Sequence, residues 1–186
     1  MQTIAPKLII GLGNPAEEYA KTFHNAGWLF ADFMAEGEFE NAKNFAFSKE
    51  KGFIVVKPLT FMNDSGKAVS EAVKYFSGKK KIKPDDILIV HDDSDIMAGE
   101  YKLSFGKNSA GHRGVESAIK ALKTKDFWRL RIGIRPAFAK AMAGKQKKRA
   151  KAADFVLKKM SPLDAKKMSE NFKKIKELIE KSELKT

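Results

Sequence analysis

The chain has 186 residues, 43% of them hydrophobic, with 14 Phe, three His and no Cys. That length supports one substantial core and a single domain spanning 1–186. The lack of Cys excludes disulfides, thiolate zinc sites and thiol nucleophiles, and three His are too few for a His-rich metal centre, so neither metal nor cofactor is expected. With 36 Lys+Arg against 23 Asp+Glu the formal charge is +13, which favours a polyanionic partner.

Residues 7–12 form a short continuous apolar run, the signature of a central strand buried on both faces. Residues 25–35 are apolar enough to pack as a helix, closed by Gly37. Two strands, 45–48 and 53–57, flank Glu50-Lys51-Gly52, a turn composition that favours an antiparallel hairpin, with Pro58 ending the second strand. From Gly66, the residues Ala68, Val69, Ala72, Val73 and Phe76 recur at helical spacing, with Asp64 or Ser65 as N-cap and Gly78 as stop.

Residues 86–90 read as another buried strand, 101–105 as an edge strand, and 115–123 as a helix entered through Gly114. Residues 129–134 alternate strictly: Leu130, Ile132 and Ile134 take one face, while Arg129 and Arg131 share the other, outside the core. Residues 137–153 are small and basic and read as a loop or marginal helix. Ser161-Pro162-Leu163-Asp164 opens a last helix whose stripe is Met168, Phe172, Ile175 and Ile179. No internal repeat or linker divides the chain, and no heptad pattern suggests an oligomer, so a monomer is expected. The fold class is α/β, a twisted, mixed but mostly parallel sheet with helices on both faces. No apolar run is long enough to span a bilayer and the start lacks a signal-peptide pattern, so no membrane partner and a cytoplasmic location are expected.

Three blocks follow the apolar strands: Gly11-Leu12-Gly13-Asn14-Pro15 leading to His24-Asn25, then Phe61-Met62-Asn63, then His91-Asp92-Asp93-Ser94-Asp95. Loops at strand ends are delivered to a common rim, so a histidine, a carboxylate and two amides are expected to converge there, the inventory of a hydrolase that needs no metal. Gly11 to Ala16 also matches the dinucleotide pattern G-x-G-x-x-A. The context fails, because Pro15 interrupts, no helix follows directly and no acidic residue closes a second strand. Each polar residue has a plainer reading: His24 as a helix cap, Asp92 as a turn holder, Asn63 as an Asx-turn residue, His91 and His112 as structural groups.

The same residues resemble the bacterial-type peptidyl-tRNA hydrolases from Lys7 to about Leu157. The ordered matches are Gly11-Leu12-Gly13-Asn14-Pro15 with Tyr19, Thr22, His24-Asn25 and Gly27; residues 60–66 against T-[FY]-M-N-x-S-G; residues 91–95 against H-D-[DE]-x-D; residues 110–114 against G-G-H-N-G; and residues 129–134 against R-L-R-I-G-I. The resemblance implies hydrolysis of the ester between peptide and tRNA, with peptidyl-tRNA as substrate and tRNA as partner. It implies His24 as general base and Asp92 as its carboxylate, and Asn14, Tyr19, Phe61, Met62, Asn63 and Arg113 around the substrate. It further implies Lys102 and Arg131 on a tRNA phosphate. Phe23 stands where the family has Arg, and Arg113 where it has Asn, which leaves both roles open. The rival reading is a non-catalytic RNA-binding protein on the same fold.

Overall fold

The computed structural model describes residues 4–78, 81–135 and 156–183. The strands are β1 (Leu8–Gly11), β2 (Glu40–Asn41), β3 (Phe45–Lys49), β4 (Ile54–Pro58), β5 (Ile87–Met97), β6 (Tyr101–Phe105) and β7 (Trp128–Arg135); the helices are α1 (Ala26–Met34), α2 (Ser65–Phe76), α3 (Arg113–Leu122) and α4 (Pro162–Glu183). The strands form one sheet in the order β2-β3-β4-β1-β5-β7-β6. Its centre, β4-β1-β5-β7, is parallel, and antiparallel pairs close both sides, β2-β3-β4 and β7-β6. This is the expected mixed, mostly parallel sheet.

Period-two alternation sorts the core into two layers. Ile9, Val55, Leu88, Val90, Leu130, Ile132 and Ile134 face α1 and α4, where Phe30, Met34, Met168, Phe172, Ile175 and Ile179 meet them. Leu8, Ile10, Val56, Ile87 and Ile89 face α2 and α3 through Ala68, Val69, Ala72, Val115 and Ala118. The apolar stripe read for the last helix is the buried face of α4. Its start is a capping box: the Asp164 N–H donates to Ser161 Oγ at 3.2 Å, and the Ser161 N–H to Asp164 Oδ2 at 3.2 Å.

Several expectations need correction. The polar block 91–95 lies in β5 rather than in a loop beyond it. The reason is β7, which runs on beside it and pairs His91, Asp92 and Asp93 with Arg131, Ile132 and Gly133 before the register shifts ahead of Met97. Helix α1 ends without Gly37, because Ala35 already turns extended, and α2 gives way at Ser77 rather than Gly78. Arg129 is not outside the core. It is 1% exposed, enclosed on the α2 and α3 side of the sheet. Residues 137–153 lie outside the described residues.

Beyond the carboxyl ends of β1 and β5 the chain departs in opposite directions, from β1 toward β2 at one edge of the sheet and from β5 toward β6 at the other. Such a switch point opens a crevice for a ligand. Helix α1 packs against its floor only because Gly27 has no side chain, as a Cβ there would strike the Leu12 backbone and the Val90 carbonyl. Gly27→Ala should therefore lower stability by about 2 kcal/mol or more. Gly78→Ala, with nothing within 4 Å of the added carbon, should stay within about 0.5 kcal/mol of the parent in the same urea titration.

Candidate active site

Asp92 sits at the switch point, 3% exposed, and its Oδ1 meets two imidazoles: His24 Nδ1 at 2.8 Å and His112 Nε2 at 2.9 Å. His24 comes from the turn before α1, and His112 is the N-cap of α3, so the two helix entrances on opposite faces of the sheet converge on one oxygen. Burial pushes the Asp92 carboxyl up, but electrostatic attraction to His112 and hydrogen bonds from both rings more than reverse this and hold it well below the usual carboxylate range.

The neighbours assign the protons. A carboxylate only accepts, so His24 donates through Nδ1–H, and in the neutral ring Nε2 is the acceptor. His112 accepts the Val115 N–H on Nδ1 at 3.3 Å and therefore donates from Nε2 to Asp92. His91 donates from Nδ1 to the Asp92 carbonyl at 2.7 Å, and its Nε2 is buried with no partner among the described residues. Only His24, whose side chain is 16% exposed, has a ring nitrogen left for a substrate.

His24 Nδ1, Asp92 Oδ1 and His112 Nε2 lie within 4.8 Å of one another, a spacing that a metal could exploit. The surrounding bonds fit a metal badly. A neutral imidazole ligated through Nε2 carries its proton on Nδ1, and there it would point at the Val115 N–H instead of at an acceptor. The cluster is arranged for proton handling.

Backbone and amide bonds hold the His24 turn. Its N–H donates to the Val156 carbonyl at 2.8 Å, and the Met160 N–H donates to the Lys21 carbonyl at 2.9 Å, so the segment leading into α4 buttresses this turn. Asn25, 1% exposed, pairs with the Asn14 backbone twice: Oδ1 accepts the N–H at 2.8 Å and Nδ2 donates to the carbonyl at 3.0 Å. Asn14 Oδ1 in turn accepts the Met62 N–H at 2.8 Å. This fixes the amide's orientation and leaves its Nδ2 as a donor not used by that bond.

The other residues singled out from the sequence spread over this rim. Met62 is buried core, lying where a Cβ on Gly114 would have to be. Phe61, beside it, is 56% exposed. Asn63 and Arg113 are exposed and line an open groove between the starts of α2 and α3 together with Lys67 and Glu116. Tyr19 is half-buried in a 3-10 turn, and the adjacent Glu18 raises its phenol above the ordinary range by hydrogen bond and charge. Lys102 and Arg131 are cross-strand partners on β6 and β7, and Arg131 Nε donates to Asp93 Oδ2 at 2.7 Å. The sequence reading missed His112 as a member of the cluster and Asn25 as the tie between two loops. The available signal was their place in the motif blocks.

A histidine whose tautomer is set by a buried carboxylate, at the switch point of a mixed α/β sheet, defines the class: an α/β protein with a hydrolase-type His–Asp site. A family model described as peptidyl-tRNA hydrolase matches residues 8–185. The peptidyl-tRNA hydrolase of Aquifex aeolicus (strain VF5) is 39% identical, covering 90% of this chain and 85% of the relative. That of Coxiella burnetii (strain CbuG_Q212) is 42% identical over 69% of each. The crystal structure of peptidyl-tRNA hydrolase from Acinetobacter baumannii superposes with a TM-score of 0.77 at 28% identity, covering 100% of this chain and 94% of that one. The chain belongs to the peptidyl-tRNA hydrolase family.

The enclosure of His91 has a consequence for stability. Burial, then the neighbouring His112, holds its imidazole well below the ordinary value. As pH falls below about 6.5, the unfolded chain takes up a proton that the folded chain refuses, so stability must fall. Asp92, whose carboxyl is held low, loses its contribution only below about pH 4. Urea midpoints between pH 7 and 4.5 should therefore drop for the parent and drop much less for His91→Asn.

Proposed function

We propose that this chain cleaves the ester joining a peptide to the 3′ end of tRNA, with His24 as general base for water. The observation that carries the reading is the free Nε2 of His24, left by the bond from Nδ1 to Asp92, in a member of this family. His24 Nε2 takes a proton from water as the hydroxide attacks the ester carbonyl. Asp92 stabilises the imidazolium as it forms, and the same proton then passes to the departing ribose oxygen. Asn14 through Nδ2, with Asn63, supplies donors to the ester and its oxyanion, where one donor is typically worth about 2.7–4 kcal/mol. Phe61, Met62 and Tyr19 shape the wall around the peptide and terminal base, and Arg113 grips the phosphates near the 3′ end.

Lys102 and Arg131 bind a tRNA phosphate. Asp93 occupies Nε of Arg131, which leaves the guanidinium's outer edge for the ligand. Such an enzyme works where translation runs, in the cytoplasm, as a monomeric single domain over residues 1–186. No helix among the described residues is long and apolar enough to cross a membrane. Release of peptide from peptidyl-tRNA decides between this reading and a non-catalytic RNA-binding protein, which would bind the substrate without turnover.

His24→Ala should reduce kcat by about 10²-fold or more and leave the Kd for deacylated tRNA within about twofold. Asp92→Asn, which removes the charge facing the imidazolium, should lower kcat by about 10² to 10⁴-fold. If His24→Ala keeps more than about a tenth of the parent kcat, the general-base assignment is wrong.

Lys102→Ala and Arg131→Ala should act on KM instead. Each should raise KM for full-length peptidyl-tRNA severalfold and reduce the salt slope of binding by about one unit or less. A substrate reduced to the acylated 3′ fragment, which lacks the distant phosphate, should show a much smaller effect. Equal damage on both substrates would assign these cations to folding or to the reacting centre.

A further inference from the structure

The polar group worst matched to its surroundings is Arg129. It is the largest of the fully buried side chains, and its Nε and Nη1 are enclosed with no hydrogen-bond partner among the described residues. Directly opposite it on β6 is Ser104, whose Oγ is likewise buried without a partner. Burial and then the charge of Arg131 lower the Arg129 guanidinium from its usual value, opposed by Asp93. It still stays a cation, because an arginine does not deprotonate in a protein. The carboxylate that opposes this shift, Asp93, already receives the Arg131 Nε on one oxygen and the Asp95 N–H on the other.

An unpaired buried cation destabilises a fold, and an apolar side chain of similar length would stabilise this position. A residue that weakens the fold without a partner inside it needs a partner outside it. Its surroundings say which. Along β7, Arg129 and Arg131 point to the same face, and Lys102 on β6 faces Arg131 as Ser104 faces Arg129. Three cations share this patch, and Asp93 is the carboxylate that bonds Arg131. In the low dielectric of the core, the inner charge is screened far less by salt than the two outer ones.

We infer that Arg129 is a positioning residue for tRNA binding: a buried positive charge, with Nε and Nη1 unpartnered among the described residues, that biases this sheet face toward a nucleic-acid phosphate held by Lys102 and Arg131. It adds to the field at the phosphate without touching it. The inference rests on the phosphate-binding reading of Lys102 and Arg131.

The test uses the full chain, 5′-phosphorylated deacylated tRNA as probe, and binding measured over a range of salt. Arg129→Met removes the charge and keeps the apolar stem, and Arg129→Lys restores a charge. Arg129→Met should weaken binding about three- to tenfold near 0.05 M salt and flatten the salt slope by less than one unit. Its Tm should equal or exceed the parent's, because an unpaired buried charge has gone. Arg129→Lys should recover most of the affinity. Parent-like binding by Arg129→Met overturns the inference, as does weaker binding that comes with a lowered Tm and no recovery by Lys, the pattern of a packing role. Lys102→Ala and Arg131→Ala run in parallel separate the two readings. If they weaken binding and Arg129→Met does not, only the Arg129 inference fails; if they too bind like the parent, the phosphate site itself is elsewhere.

Discussion

Asp92 Oδ1 holds the molecule's polar centre together, because two histidines from opposite faces of the sheet donate to this one oxygen. Each bond settles something different. The bond from His24 Nδ1 leaves Nε2 free to accept a proton, while the bond from His112 Nε2, with the Val115 N–H on its other side, consumes both nitrogens of that ring. The same carboxylate thereby separates a histidine able to act as a base from one that only braces. It also ties the entrance of α1 to the entrance of α3 across the edge of β5, so the loops that carry the site are fixed by the site's own chemistry.

Around that centre the amides do mechanical work first. Asn25 and Asn14 together join the β1 loop, the His24 turn and the Met62 turn through three hydrogen bonds, all between buried groups. Such interior bonds are expensive to lose, since breaking one leaves a desolvated donor or acceptor unpaired. The crevice is thus braced around Asn14 and the His24 turn, and exposed Phe61 and Asn63 lie on its rim, on a turn anchored by the buried Met62. Preorganisation of this kind is what lets fixed dipoles stabilise charge that develops during reaction.

Much of this was legible in the chain because burial writes a periodic record. The continuous apolar runs gave β1 and the first part of β5, the spacing of Met168, Phe172, Ile175 and Ile179 gave the inner face of α4, and the tight turn at Gly52 gave the hairpin. The extension of β5 through 91–97 was not legible, since its residues are polar and their strand conformation comes from pairing with β7, a partner forty residues away. His112 was hidden for a related reason. Nothing local distinguishes a helix-capping histidine from one that also reaches a carboxylate twenty residues earlier.

Arg129 shows the limit of alternation most clearly. The two-residue period correctly put Arg129 and Arg131 on the face opposite Leu130 and Ile132, but it carries no information about what covers that face. In a sheet with helices on both sides, each face is core near the middle of a strand and rim near its carboxyl end. Arg129 pairs with Ile89, inside the apolar part of β5, whereas Arg131 pairs with His91, where the polar block begins. Two residues of travel along β7 therefore take an arginine from enclosure to the edge of the crevice. The contrast with Asp92 is instructive. Both charges are buried, but the carboxylate has donors on it and is held ionised by them, while Nε and Nη1 of the guanidinium have no acceptor among the described residues, so the first is explained by contacts inside the fold and the second is not.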